Sequence, residues 1–220
     1  MANPPRIVLL HATTVAMDPI RSAFERNWAD VELVNLLDDG LTIDRAKEEE
    51  LSQRMIDRFV AFGRYGWGMG ADAILVTCSA FGPAIDRLKA ELPVPVLKPN
   101  EAMFKAAIAK GGNIGMLATF APSVSTMTQE FQDFVAEEGS AARLRTILVD
   151  DAIDLLRKGF ADDHNRLVAA RAPDLQDCDA IMLAHFSTSR AADAVAKVSS
   201  APVLTAPDAA VTMLKVLLGV

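Results

Sequence analysis

The sequence has little cysteine, few aromatic residues and no excess of positive charge. Its 220 residues include only two cysteines, Cys78 and Cys178, which form neither a disulfide framework nor a CxxC metal pattern. The net charge of −7 argues against a nucleic-acid-binding surface, which needs clustered Lys and Arg. Because short His or Cys ligand spacings are also missing, we expect neither a metal ion nor another cofactor.

Long apolar runs are missing as well. No uncharged apolar stretch reaches the ~18 residues that a membrane-spanning helix needs, and the most hydrophobic segment, residues 209–220, contains Lys215. The opening residues, Met-Ala-Asn-Pro-Pro, lack the basic and apolar regions of a secretory signal. We therefore expect a cytoplasmic protein that contacts no membrane and keeps its thiols reduced.

Aliphatic residues, in contrast, are abundant. Hydrophobic residues make up 51% of the sequence and aromatic residues only 6%, so we expect a core built mainly from Ala, Val, Ile and Leu. The length suffices for one large domain or for two lobes of about 100 residues each.

The chain repeats itself with a constant offset in residue number. Residues 72–76 (DAILV) resemble residues 179–183 (DAIML), and the triplet PVL occurs at both 95–97 and 202–204, so that both pairs are offset by 107. The same offset aligns Asp86 with Asp193. A constant offset over separate segments indicates a gene duplication and predicts two similar lobes.

Short apolar strands alternate with helices in each half. We predict strands near residues 6–10, 31–36, 73–77, 94–97, 113–118, 144–149, 180–184 and 202–205, and helices that include 19–28, 43–66 and 83–92. This alternation predicts an α/β fold with parallel sheets covered on both faces. We expect a first lobe of residues 1–98, completed by a helix at 208–220, and a second lobe of residues 99–207.

Cys78 and His185 occupy equivalent positions in the two halves, because the offset of the repeat places one on the other. Each follows a buried strand, and ligands of parallel sheets collect at the carboxyl ends of strands. We therefore predict that both face one cleft as a catalytic acid/base pair, one group removing a proton from a substrate carbon and the other returning it. Because Cys78 begins a helix, with Ser79 as the expected N-cap, we expect a lowered thiol pKa.

Neighbouring residues at the strand ends are candidates for substrate binding. Hydroxyls and backbone N–H groups at helix starts favour a carboxylate and would stabilise an enolate, and phenylalanines beside them, including Phe81, would line an apolar compartment. The predicted substrate-binding residues are His11, Thr13, Thr77, Ser79, Ala80, Thr119, Phe120, Phe186, Ser187 and Thr188. We expect His164 to be solvated, and Cys178 to be structural at the far end from the cleft.

Four segments resemble the aspartate/glutamate/hydantoin racemase superfamily, which includes arylmalonate decarboxylase and maleate cis-trans isomerase. These segments are residues 74–79 (ILVTCS), 95–97 with 101–102, 115–119 (GMLAT) and 179–184 (DAIMLA). The resemblance covers nearly the whole chain. It implies two Rossmann-like lobes, a cleft between them, and cofactor-independent chemistry at a carbon next to a carboxylate or carbonyl.

The sequence departs from the family pattern at one position. Racemases of the family carry one catalytic cysteine in each lobe, and Cys78 matches the first of them, but His185 stands where the second is expected. Arylmalonate decarboxylases use a single cysteine, which lies in the second lobe.

Three hypotheses follow for a small carboxylate-bearing substrate. The first is a racemase or epimerase that uses Cys78 and His185. The second is a malonate-type decarboxylase or a maleate-type isomerase, in which Cys78 donates a proton or acts as a nucleophile. The third is a carboxylate-binding protein without activity. A homodimer is the commonest default for the oligomeric state, which the sequence leaves open.

Overall fold

A computed structural model describes residues 3–220, and the chain divides into two compact units. The first unit contains the residues up to Asn100 together with Ala210–Val220, and the second contains Glu101–Ala209.

The first unit is built on a four-stranded parallel sheet with the strand order β2-β1-β3-β4. Its strands are β1 (Arg6–His11), β2 (Glu32–Leu37), β3 (Ala73–Val76) and β4 (Val96–Leu97). Its helices are α1 (Met17–Asn27), α2 (Gly40–Arg45), α3 (Gln53–Gly68) and α4 (Gly82–Glu91). The central strands β1 and β3 are almost entirely buried, as their continuous apolar sequences predict.

The second unit has the same sheet topology, with the order β6-β5-β7-β8. Its strands are β5 (Asn113–Ala118), β6 (Arg143–Leu148), β7 (Ala180–Leu183) and β8 (Val203–Thr205). The helices are α5 (Glu101–Ile108), α6 (Val124–Glu137), α7 (Ala152–Arg157), α8 (Ala161–Ala170), α9 (His185–Thr188), α10 (Ala192–Ala196) and α11 (Ala206–Leu218). The boundary between the units falls within α11.

The strand registers confirm the predicted duplication. Ile7 pairs with Ala73 in the first sheet, and their counterparts in the repeat, Ile114 and Ala180, pair in the second sheet. The predicted α/β class with two similar lobes and parallel sheets is therefore correct.

An aspartate at the amino edge of each sheet makes the same contact. The carboxylate of Asp72 accepts a hydrogen bond from the backbone N–H of Arg6 at 2.7 Å, and Asp179 accepts one from Asn113 at 2.8 Å. In each case the aspartate precedes one central strand and the donor begins the other. These carboxylates satisfy N–H groups that the strand ladder leaves without partners.

The predicted helix at residues 43–66 is wrong, because two helices, α2 and α3, occupy this region. The Ser52 hydroxyl accepts a hydrogen bond from the Met55 N–H, which starts α3 with an N-cap. The guanidinium of Arg45 donates to the backbone carbonyl of Glu48 and so stabilises the intervening turn. Periodicity alone does not reveal this break, because both helices bury apolar residues on one side.

Among residues 3–220, no helix is both long enough and apolar enough to cross a membrane.

Candidate active site

Cys78 lies just beyond the end of β3, at the carboxyl edge of the first sheet. Its backbone is extended, with φ of −133° and ψ of 122°, and it precedes a 3-10 turn at Ser79–Phe81. Cys78 itself therefore holds the N-cap position predicted for Ser79, and its side chain makes no capping hydrogen bond. The site is a short turn rather than the start of a long helix.

The environment of Cys78 raises the pKa of its thiol above the ordinary value of 9.0, mainly through burial. A hydrogen bond from the Ala80 backbone N–H opposes this shift only in part. The expected lowering of the Cys78 pKa is therefore wrong: loss of hydration outweighs a single N–H donor from a 3-10 turn. At neutral pH the side chain is a thiol, and thus a proton donor.

The imidazole of His11 is fully buried and both of its nitrogens have partners. Nδ1 lies 2.9 Å from Thr77 Oγ1, and Nε2 lies 3.0 Å from Asn35 Oδ1. Thr77 Oγ1 also donates to the Leu10 carbonyl at 3.2 Å. Because burial holds the His11 pKa below 6.5, the ring carries a single proton: Nε2–H donates to Asn35 Oδ1, and Nδ1 accepts from the Thr77 hydroxyl, whose one proton also faces the Leu10 carbonyl. His11 thus fixes Thr77, the residue before Cys78.

The remaining first-unit candidates differ in exposure. Thr13 and Ser79 are partly exposed, and Ala80 is exposed. Phe81 is fully buried and stacks on Phe59 with the ring centroids 5.0 Å apart. Phe81 is therefore part of the core of the first unit and not of an apolar compartment open to a ligand.

His185 directly follows Ala184 at the carboxyl edge of the second sheet and begins α9. Its φ of 66° lies in the left-handed region, which costs a residue other than glycine about 1–2 kcal/mol. Such strained residues cluster at functional sites. Burial lowers the pKa of the imidazole below its ordinary value of 6.5, against a smaller opposing effect of a hydrogen bond with the Ala184 backbone. At neutral pH His185 is therefore uncharged, and so a proton acceptor.

Two of the predicted hydroxyl residues of the second unit contact each other. Thr119, which follows β5, and Thr188, which ends α9, are both buried, and their Oγ1 atoms lie 3.2 Å apart. This bond joins the end of β5 to the end of α9. Of the residues between His185 and Thr188, Phe186 is buried and Ser187 is partly exposed.

Phe120 contacts an arginine that the sequence did not single out. The Arg157 guanidinium carbon, at the end of α7, lies 5.6 Å from the centroid of the Phe120 ring, which is within cation–π distance. Phe120 is 38% exposed, so part of its ring remains open to solvent. Arg157 is the last residue of α7, as Arg45 is the last residue of α2 in the first unit. The sequence therefore contained a signal for Arg157, but the two arginines are not separated by the repeat offset of 107.

Two other residues of the second unit are buried. His164 on α8 is fully buried, so the prediction that it is solvated is wrong: it lies on the inner face of a helix whose outer face carries the charges. Cys178 is buried before the start of β7, beside Arg145. This position, at the amino edge of the sheet, agrees with a structural role.

Within residues 3–220, the structure contains no group of three or more His, Cys, Asp or Glu side chains that could hold a metal ion.

Solved structures share this fold over almost the entire chain. Allantoin racemase from Klebsiella pneumoniae matches with a TM-score of 0.73 and 16% identity, over 98% of this chain and 88% of that one. The aspartate racemase of Picrophilus torridus matches with a TM-score of 0.72 and 13% identity, over 98% and 94% of the two chains. A mutant of arylmalonate decarboxylase matches with a TM-score of 0.66 and 17% identity, again over 98% and 94%.

At these identities the likeness establishes the fold alone. No curated protein sequence matches the chain. A sequence model of the Asp/Glu/hydantoin racemase family matches residues 4–172, which is more than half of the chain. The chain therefore belongs to the Asp/Glu/hydantoin racemase family.

Proposed function

We propose that the protein is a cofactor-independent racemase or epimerase of a small carboxylate. It acts on the carbon next to the carboxylate or carbonyl of an amino acid, a hydantoin or a related acid. Cys78 and His185 are the acid/base pair, and they serve opposite faces of the substrate carbon.

One observation supports this proposal most directly. Cys78 and His185 follow β3 and β7, which are equivalent strands of two sheets with the same topology and register. Both are partly exposed, whereas the strands before them are buried. In a family whose chemistry takes place next to a carboxyl group, two proton-transferring side chains at duplicated positions fit a two-base reaction.

The ionisation of the two groups determines how the reaction starts. With the thiol pKa raised and the imidazole pKa lowered, the resting pair is a neutral thiol and a neutral imidazole. His185 removes the α-proton from one face, and the Cys78 thiol donates its proton to the other face of the carbanion. The pair is left as imidazolium and thiolate, and one proton then passes from His185 to Cys78 through solvent. The opposite enantiomer reacts from the imidazolium–thiolate form.

Groups near each of these residues would bind the carboxylate. The partly exposed hydroxyls of Ser79 and Ser187 and the backbone N–H groups of both turns are suitable donors. The bonded hydroxyls of Thr119 and Thr188 would hold the second turn in place. Hydrogen bonds of this type also stabilise negative charge that develops on the substrate oxygen.

A decarboxylase or cis-trans isomerase is the second candidate, and the raised Cys78 pKa favours the decarboxylase. A thiol that stays protonated at neutral pH is suited to donate a proton to the enediolate left after loss of carbon dioxide from a malonate. In that reaction His185 would position the substrate.

The experiment that tests the proposal is α-proton exchange in deuterated buffer, followed by NMR over a panel of amino acids, hydantoins, disubstituted malonates and maleate. We expect exchange at a stereocentre, and in Cys78→Ala a loss of at least ~10²-fold for the enantiomer whose α-proton faces Cys78, because general acid–base groups contribute about 10²–10⁴-fold. Cys178→Ala is the matched control, because it removes the other thiol without touching the carboxyl edge.

Other outcomes of this experiment would assign a different function to the chain. Release of carbon dioxide or conversion of maleate would favour the second candidate. Exchange of both enantiomers at the full rate in Cys78→Ala would contradict a role for this thiol. Carboxylate binding that survives Cys78→Ala, with no turnover of any compound, would indicate a binding protein.

A further inference from the structure

His164 is a buried imidazole that the proposed reaction does not use. Its Nδ1 lies 2.9 Å from Asn165 Oδ1. Because an amide oxygen only accepts, Nδ1 carries the ring proton and Nε2 presents a lone pair. The side chain is fully buried, and Nε2 has no hydrogen-bond partner among residues 3–220. Nearly all buried polar atoms in proteins have a partner, so this atom is unusual.

His164 lies beside the turn that carries His185. It is the fourth residue of α8, and this helix returns the chain from the end of β6 towards the start of β7. His164 is therefore at the end of α8 nearest the carboxyl edge of the second sheet. α8 packs against the 3-10 turn Ser189–Ala191, which directly follows α9. One helical turn after His164, Val168 shares a buried apolar cluster with Ala191 of that turn.

A positive charge on His164 would lack compensation. The charged residues of α8 and of the elements that pack against it are Asp154, Arg157, Asp162, Asp163, Arg166, Asp174, Arg190 and Asp193. Burial lowers the His164 pKa below its ordinary value of 6.5, and of these charged residues Arg190 alone adds to the lowering.

The position of His164 in its helix also disfavours the charged form. It belongs to the first turn of α8, where the helix dipole is unfavourable to a cation. Protonation would also turn Nε2 into an N–H donor that has no acceptor in the part of the chain that the structure describes. An imidazolium at this position would therefore favour a conformation in which it reaches water.

We propose that His164 is a pH-sensitive support for the turn that carries His185. The neutral imidazole lets α8 pack against the Ser189–Ala191 turn, whereas the imidazolium leaves its buried position and the turn opens. Because α9 and this turn are continuous in the chain, opening also frees the backbone at His185. The inference goes beyond the proposed function, since it concerns the backbone of the turn and requires no substrate.

Opening of the turn should increase as the pH falls. In the closed turn the His164 pKa is lowered, whereas in the open turn the hydrated imidazole titrates near its ordinary value of 6.5. Below pH 6.5 the open form therefore binds a proton that the closed form does not. The equilibrium for opening then rises by up to about tenfold per pH unit, until the pKa of the closed form is reached.

Amide hydrogen exchange followed by NMR measures this opening. The reporters are the backbone N–H groups of Ser189 and Ala192, which donate to the carbonyls of Phe186 and Ser189. His185→Asn is the reference protein, because it removes the other imidazole of the turn, and asparagine tolerates the left-handed backbone at this position.

In the reference protein we expect the opening equilibrium, corrected for the intrinsic exchange rate, to rise by up to about tenfold per pH unit below 6.5. Adding His164→Leu should make it independent of pH in this range. His164→Gln keeps a polar side chain that does not titrate, and should abolish the pH dependence even where leucine disturbs the packing.

His11→Gln in the same background is the matched control. It removes the buried imidazole of the first unit and should leave the rise at the turn unchanged. The same rise with and without His164, or no rise in the reference protein, would overturn the inference. Turn amides that are protected as strongly as those of β7 would also overturn it, because they would then exchange only when the whole second unit unfolds.

Discussion

Cys78 and His185 follow equivalent strands, yet their surroundings differ in almost every respect. Cys78 has an extended backbone, accepts a hydrogen bond from Ala80 and follows a threonine that is fixed by a buried histidine. His185 has a left-handed backbone and begins a short helix that is tied to β5 by the Thr119–Thr188 bond. Burial favours the neutral form of both side chains, and in each case a hydrogen bond with the backbone opposes it in part.

The amino edges of the two sheets have diverged far less. Asp72 and Asp179, which the repeat aligns, each accept a hydrogen bond from the first N–H of a central strand, at 2.7 and 2.8 Å. The duplicated halves thus share the contacts that set strand register and differ where a substrate would bind. The difference teaches that one scaffold can hold a thiol and an imidazole at equivalent points.

The largest expected effect comes from removing one member of the Cys78–His185 pair. His185→Asn should reduce exchange by about 10²–10⁴-fold for the enantiomer whose α-proton faces His185, because no base remains on that side. The other enantiomer should still exchange through the Cys78 thiolate, increasingly so as the pH rises. The measurement is deuterium incorporation into each pure enantiomer. Equal losses for both enantiomers at alkaline pH would show that the groups do not serve separate faces.

A smaller effect concerns the pH dependence of the wild type. The active pair is a neutral imidazole and a neutral thiol. Activity should fall about tenfold per pH unit only below the lowered His185 pKa, itself under 6.5, and only above the raised Cys78 pKa, itself over 9.0. The profile of kcat/KM should therefore be flat at least from pH 6.5 to 9.0. Because kcat/KM reports the free enzyme, a narrower bell with a substrate that does not itself titrate in this range would contradict one of the two pKa shifts.

The smallest expected effect concerns the different backbone conformations at positions 78 and 185. At position 185 the φ of 66° favours glycine, so His185→Gly should be more stable than His185→Ala by about 1 kcal/mol. At position 78, with φ of −133°, the order should reverse, because glycine only adds flexibility to the unfolded chain. Urea unfolding of the four variants measures both differences. If the glycine and alanine variants rank in the same order of stability at both positions, the left-handed backbone at His185 would be contradicted.

Much of the fold was predictable because its signals are local or repeated. Continuous apolar strands and the constant offset identified all eight strands and both sheets. The break between α2 and α3 was missed because the Ser52 cap is a single hydrogen bond within an otherwise periodic pattern.

The site was less predictable because its chemistry depends on partners distant in sequence. The strand ends located Cys78 and His185, but the direction of the Cys78 pKa shift depends on how deeply the thiol is buried. The partner of His11 is Asn35, on a neighbouring strand. The repeat did not identify Arg157, because α6 is longer than α1. The extra residues increase the offset between equivalent residues in the segment that follows α6.

Asp72 and Asp179 also have a consequence for protein engineering. Their bonds fix strand alignment at the end of each sheet opposite to Cys78 and His185, so the turns that carry these two residues can be exchanged without touching the contacts that set alignment. Residues 184–189 could be replaced by residues 77–82 to graft a thiol turn onto the second sheet while Asp179 stays in place. The turns after β3 and β7 are thus two equivalent places at which the proposed proton-transferring side chains could be exchanged.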